Sequence, residues 1–186
     1  MIIAISGLHG TGKSTIAKLL AEHLGIIYYS TGQAFRDLAK EKNMSLEEYT
    51  NFVENHPDID KDLDNKVVNM AKKGNIIIDS QLSGYILKSI ADFRIHLTCP
   101  LKLRVKRMSE RDQTSFEEKL KETTLREKSE LERFKILYNI DLSNKDSINE
   151  SFDLLINTEN FSIEEALAKI LSELKNLFNT FSDKKS

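Results

Sequence analysis

A single cysteine, Cys99, in a chain of 186 residues excludes an internal disulfide framework and a cysteine-built zinc site. There is no tryptophan and there are only two prolines, and no proline- or glycine-rich linker, internal repeat or low-complexity tract divides the chain. No apolar run approaches the roughly 20 residues that cross a bilayer. The opening Met1-Ile2-Ile3-Ala4-Ile5-Ser6 is too short for a secretory signal. Neither sign of charge dominates: 27 Lys and Arg against 29 Asp and Glu leave a net charge of -2, which sets aside a protein that coats nucleic acid through a generally basic surface. The expectation is a cytoplasmic protein, monomeric, with no membrane and no nucleic-acid partner. Its 40% apolar residues can bury one domain-sized core.

Glycine is scarce, yet three of the seven, Gly7, Gly10 and Gly12, fall within six residues. An apolar run at residues 1–6 precedes them and reads as a buried strand. After them, Ile16, Leu19, Leu20 and Leu24 recur at helical spacing until Gly25. Further strands are expected at residues 26–29, 76–79, 94–98 and 152–156. Helices are expected at 31–42, at the capping-box word Ser45-Leu46-Glu47-Glu48, at 58–73, 100–111, much of 115–137, and 162–178. Five short apolar strands alternating with helices predict an α/β fold of three layers, a five-stranded parallel sheet with helices on both faces. Two connections exceed a simple crossover: residues 30–74, helical throughout, and the Arg/Glu-rich stretch 104–140. In an open parallel sheet a ligand sits at the carboxyl ends of the strands, where such excursions leave.

The string Gly7-Leu8-His9-Gly10-Thr11-Gly12-Lys13-Ser14-Thr15 fits G-x-x-x-x-G-K-[ST] between a strand and a helix. Glycines let successive backbone N–H groups turn inward around phosphate oxygens, and the helix N-terminus adds its positive end. Lys13 is suited to the terminal phosphates and the Ser14 hydroxyl to Mg²⁺. The pattern predicts a nucleoside triphosphate bound with Mg²⁺. His9, at a variable position, is expected to point away from the phosphates.

A guanine-reading Asn-Lys-x-Asp is not completed at Asn144-Lys145-Asp146-Ser147, and a switch Asp-x-x-Gly is not completed at Asp79-Ser80-Gln81-Leu82, so a GTPase is not indicated. A motor or AAA-type ATPase calls for a longer chain with oligomer-facing elements. A small-molecule phosphotransferase instead needs cations on two sets of phosphates and a water-excluding lid. Five of the seven arginines lie between Arg104 and Arg133. Arg107 and Arg111 share a helix face, as do Arg126 and Arg133, and the planar guanidinium suits bidentate phosphate contacts. The interleaved Glu110, Glu127, Glu130 and Glu132 allow the alternative of a solvated helix laced with ion pairs.

The words Ser30-Thr31-Gly32-Gln33-Ala34-Phe35-Arg36, Met44-Ser45-Leu46-Glu47-Glu48, His56-Pro57-Asp58-Ile59-Asp60, Arg126-Glu127-Lys128-Ser129-Glu130 with Arg133, Tyr138-Asn139-Ile140-Asp141 and Asp153-Leu154-Leu155-Ile156-Asn157-Thr158 are each weak. In their order and spacing they resemble the archaeal cytidylate kinases, within the nucleoside monophosphate kinases of the P-loop superfamily, almost end to end. The resemblance implies one kinase domain, with core 1–29, 75–106 and 141–180, a monophosphate-binding excursion at 30–74 and a lid at about 109–127. It implies ATP-dependent, Mg²⁺-requiring phosphorylation of CMP or dCMP. By position, Ser30, Gly32 and Arg36 meet the acceptor, and Asp79 organises Mg²⁺ through water. Arg107 and Arg111 flank the donor, and Arg126 and Arg133 close on the moving phosphate.

Three places depart from the family, one being Lys13 of the phosphate loop, where several archaeal relatives have threonine. Gln81 stands where relatives carry an arginine on the acceptor phosphate, and Asn65-Lys66 where they are often arginine-rich. Asp60 and Asp64, with His56, lie where a base could be read, or are simply polar helix surface. A kinase for AMP, UMP or a non-nucleotide acceptor, and an ATP-gated regulatory module touching RNA, remain open. Cys99 is expected to be a buried small residue, and Tyr28 and Tyr29 strand packing. Phe161, Leu167, Ile170, Leu171, Leu174, Leu177 and Phe178 form a core-facing stripe, and residues 182–186 a disordered tail.

Overall fold

A computed structural model describes residues 1–183, without the side chains at 145, 178 and 180–183. Five strands, β1 (Ile2–Ser6), β2 (Ile27–Ser30), β3 (Ile76–Asp79), β4 (Phe93–Thr98) and β5 (Leu154–Asn157), form one parallel sheet in the order β2-β3-β1-β4-β5. β3 is buried along its whole length, as a strand covered on both faces must be. The two-residue period of β1 divides the core. Ile3 and Ile5 pack with Ile16, Leu20, Ile170 and Leu174, from α1 (Lys13–Leu24) and α9 (Ile163–Asp183). Ala4 faces Val67 and Ala71 of α4 (Pro57–Ala71) on the opposite side. Helices therefore cover both faces of a five-stranded parallel sheet.

Residues 30–74 leave the sheet as three helices, α2 (Thr31–Glu41), α3 (Leu46–Glu54) and α4. The Ser45 hydroxyl caps the Glu48 amide and the Glu48 carboxylate returns to the Ser45 amide, so the capping box is complete. These helices build their own cluster from Phe35, Ala39, Tyr49, Val53 and Leu63. On the other side of the cleft, α6 (Leu101–Asp112) and α7 (Phe116–Tyr138) form a helical hairpin, tied by Lys119 to Asp112 at 3.0 Å.

Several boundaries differ from the sequence reading. α5 (Ser83–Ile86) and α8 (Lys145–Ser151) were not expected, because neither is long enough to show a period; Asn144, which caps α8 through its side chain, was the only local mark. β5 begins at Leu154 rather than 152, because Phe152 leaves the strand to pack on Tyr85 and His96. The helix α9 continues to Asp183, past the start of the expected tail; the rest of that tail, 184–186, and the Phe178 side chain lie outside the described residues. The other members of the terminal stripe pack on the core.

Candidate active site

The phosphate loop joins the carboxyl end of β1 to α1. At Gly7, φ is +142° and an added Cβ would stand 2.3 Å from the Leu97 carbonyl oxygen. At Gly10, φ is +74° and an added Cβ would stand 2.7 Å from the Arg104 carbonyl oxygen. Glycine is required at both, by backbone conformation and by the closeness of β4 and α6. The Leu8 carbonyl accepts from the Thr11 hydroxyl and from Lys13 Nζ, each at 2.9 Å. Burial lowers the Lys13 pKa, while Asp79, Glu130 and Glu127 act to keep it charged.

At the end of β3, Asp79 Oδ2 accepts from the Ser14 hydroxyl at 2.6 Å and from the Tyr28 hydroxyl at 3.0 Å. Tyr28 is thus a site residue as well as a packing one, a role the strand pattern could not reveal because only its hydroxyl is involved. Ser14 and Asp79 supply hard oxygen donors beside the loop, the chemistry that suits Mg²⁺. Among the described residues no group of three or more His, Cys, Asp or Glu side chains could hold a metal alone. A Mg²⁺ here would complete its shell with phosphates and water, as such ions commonly do.

These groups open into a cavity of ≈ 1100 Å³. It brings together nearly every residue singled out from the sequence: loop residues His9, Gly10, Thr11, Gly12, Lys13, Ser14 and Thr15; Ser30, Gly32, Arg36, Asp60 and Asp64 from the helical excursion; Asp79 at the end of β3 and Gln81 just beyond it; and Arg107, Arg111, Arg126 and Arg133 from the hairpin. Gly7 and Leu8 do not line it; they shape the loop behind it. Arg36 has its pKa lowered by burial and by the nearby positive charges of Arg111 and Arg126. Guanidiniums from α2, α6 and α7 therefore converge on one space without neutralising one another, an arrangement that attracts anions.

Around the cavity, Arg107 is held by the Thr158 hydroxyl at 3.0 Å and its carbonyl at 2.8 Å. Its guanidinium also reaches Cys99 Sγ at 3.5 Å, and Cys99 is half-buried rather than buried as expected. Arg133 donates to Asp60 at 3.0 Å, and the Tyr138 hydroxyl bonds Asp64. Burial, opposed by Tyr138 and aided by Asp60, raises the Asp64 pKa to about 6. Arg104, absent from the sequence candidates, donates 2.5 and 3.0 Å bonds to Glu127 and a 2.8 Å bond to the His9 carbonyl. His9 does not merely point away: its imidazole lies 2.6 Å from Glu130 on α7. Glu127 and Glu130 were read as possible solvated ion-pair partners, yet both are buried. The residues of α7 that turn inward are Lys119, Thr123, Glu127, Glu130 and Phe134, a helical period written largely in polar residues and so hidden from a hydrophobic pattern.

A phosphate-gripping loop on a parallel sheet, facing convergent arginines across a cleft, defines a P-loop kinase. A family model described as "AAA domain" matches residues 3–135. The AAA-type ATPases had been set aside on length; the matched stretch runs from β1 through most of α7. The chain is 39% identical to the cytidylate kinase of Staphylothermus marinus over 89% of this chain and 91% of that protein. It is 41% identical to the cytidylate kinase of Methanobrevibacter smithii over 94% and 99%. The shikimate kinase of Acinetobacter baumannii, solved in complex with shikimate, superposes with a TM-score of 0.59 at 17% identity over 94% of this chain and 93% of that one, a likeness of fold. The chain belongs to the cytidylate kinase family.

Proposed function

We propose that the chain transfers the terminal phosphoryl group of ATP to CMP or dCMP, with Mg²⁺ as cofactor. The observation that carries this reading is the convergence of Arg36, Arg111 and Arg126 opposite the phosphate loop, in a member of a family whose relatives are named cytidylate kinases. Gly7, Leu8, His9, Gly10, Thr11, Gly12, Lys13, Ser14 and Thr15 form the ATP phosphate site, with Arg107 and Arg111 against the donor. Ser14, and Asp79 through water, would hold Mg²⁺, which when bound offsets charge on the donor phosphates. Ser30, Gly32, Arg36 and Gln81 receive the acceptor phosphate. Asp60 and Asp64 accept from the exocyclic amino group of cytosine, which uracil lacks.

A monophosphate has its second pKa at about 6 and is largely ionised near neutrality, so no general base is required. The work is in-line positioning and stabilisation of a loose transition state. Lys13, Arg126 and Arg133 surround the moving group while Arg36 holds the attacking oxygen. The excursion 30–74 and the hairpin segment 109–127 close to exclude water. In the same reading the protein acts as a cytoplasmic monomer on small molecules; among the described residues no helix is long and apolar enough to cross a membrane.

The test is a coupled assay across CMP, dCMP, UMP and AMP. CMP or dCMP is expected to be fastest, and Lys13→Ala to lower kcat at least ~10²-fold, the scale of a lost electrostatic stabiliser. A faster rate with AMP or UMP overturns the base assignment. ATP consumption that no acceptor accelerates overturns the kinase assignment and favours a regulatory module.

A further inference from the structure

Glu130 is a carboxylate buried to 5% exposure on α7, and three elements converge on it. Its Oε2 lies 2.6 Å from His9 Nε2, on the phosphate loop, and accepts from Gln81 Nε2 at 2.9 Å, past the end of β3. Its Oε1 accepts from Arg126 Nε, one helical turn back, at 2.9 Å. Because a carboxylate only accepts, the His9 ring must carry its proton on Nε2. Gln81 Nε2, 3.2 Å from that same ring nitrogen, therefore serves Glu130 and not His9. Burial works to raise the Glu130 pKa, but His9, Arg126 and Gln81 together hold it below its ordinary value, so the hub is ionised.

The geometry at Arg126 is specific. The bond to Glu130 uses Nε, and among the described residues no hydrogen bond engages either terminal nitrogen. The side chain borders the cavity. A flexible stem is thereby fixed at the neck of the guanidinium while its two-nitrogen fork, the part that matches a phosphate, is left for the ligand. We propose that Glu130 is a positioning residue that aims Arg126 at the transferring phosphate, and that His9 and Gln81 hold Glu130 for that task. Gln81 then has a second role, beside the acceptor phosphate, as an uncharged donor: it steadies a carboxylate already balanced by Arg126. His9 makes the phosphate loop itself one anchor of the hub, so the loop and the arginine on α7 share one carboxylate. This rests on the reading of Arg126 as a phosphate-facing group.

The test is a double-mutant cycle on the full chain, with kcat and the KM values for ATP and CMP measured on Arg126→Ala, Glu130→Gln and the double variant, beside His9→Ala and His9→Gln. Glu130→Gln and His9→Ala are each expected to lower kcat by about tenfold or more, on the scale of a misplaced catalytic group, with KM within about threefold. Added to Arg126→Ala, Glu130→Gln should have no further effect on kcat. His9→Gln, whose amide nitrogen can stand in for the ring Nε2–H, should recover most of the loss. His9, on a loop, keeps the test open should Glu130→Gln fail to fold. The inference is overturned if Glu130→Gln lowers kcat by the same factor with and without Arg126, if both substitutions leave kcat unchanged while Arg126→Ala lowers it, or if His9→Gln is no better than His9→Ala. A wild-type kcat in Arg126→Ala instead overturns the reading of Arg126 itself.

Discussion

The Ser14 hydroxyl donates to Asp79 Oδ2 at 2.6 Å, joining the first turn of α1 to the end of β3 across 65 positions of sequence. Tyr28 donates to the same oxygen at 3.0 Å. One carboxylate oxygen is thus held by two hydroxyls from two elements, which limits how the other can turn. On the proposed reading Tyr28 orients Asp79, which reaches Mg²⁺ through water, and partners that orient the groups around a metal typically change its affinity by about 10–100-fold when removed. Tyr28→Phe should therefore raise the Mg²⁺ concentration for half-maximal turnover by about 10-fold, and weaken Mn²⁺ binding in the presence of a non-hydrolysable ATP analogue. Metal-free binding of the analogue should stay as in the wild type. Unchanged metal titrations would remove Tyr28 from the site.

The buried pair Arg104–Glu127 makes a second prediction, about stability. The two side chains are 5% and 10% exposed, and Arg104 also holds the His9 carbonyl. Glu127→Ala leaves a guanidinium buried without its partner, at a cost of about 3–5 kcal/mol. Replacing both, as Arg104→Met with Glu127→Leu, should cost less in urea unfolding yet still weaken ATP binding, because the loop carbonyl loses its donor. A Glu127→Ala protein as stable as the wild type would show that the pair is not held dry.

A buried histidine and a half-buried aspartate give opposite pH dependences over nearly the same range. Burial, with the Lys13 charge adding to it, lowers the His96 pKa from 6.5 to about 4, and its Nδ1 has no partner. The unfolded chain takes up that proton first, so the contribution of His96 to stability is intact above pH 6.5 and is lost as the pH falls toward 4. Asp64 is raised from 3.8 to about 6, so its contribution is full below pH 3.8 and is lost as the pH rises through about 6. Thermal melts should show His96→Gln flattening the acid-side loss, and Asp64→Asn raising Tm at pH 7.5 but not at pH 4. Parallel Tm-against-pH curves for variant and wild type would refute either assignment.

An unbroken apolar run was enough to read β1, helical spacing of apolar residues to read α1 and the terminal helix, and a capping box to place α3 within the excursion. Glycine spacing was enough to read the phosphate loop, since a backbone that turns its amides inward there tolerates few alternatives. The inward face of α7 was not legible. Lys119, Thr123, Glu127 and Glu130 sit at helical spacing, but their burial depends on partners at Asp112, Arg104, His9 and Gln81. Those partners come from other elements, and nothing local marks them.

The division follows from how far each interaction reaches along the chain. Order of elements, the loop that grips phosphate and the helices that bury apolar stripes are set by neighbours a few positions apart, and the amino-acid string alone determined them. Which arginine gives both terminal nitrogens to a buried glutamate and which keeps its fork free, and whether Tyr28 is only packing, were decided by tertiary structure. Arg104 and Arg126 look alike in sequence; only the packing of α7 on α6 gives the first a carboxylate across both terminal nitrogens, while the second is held at its neck.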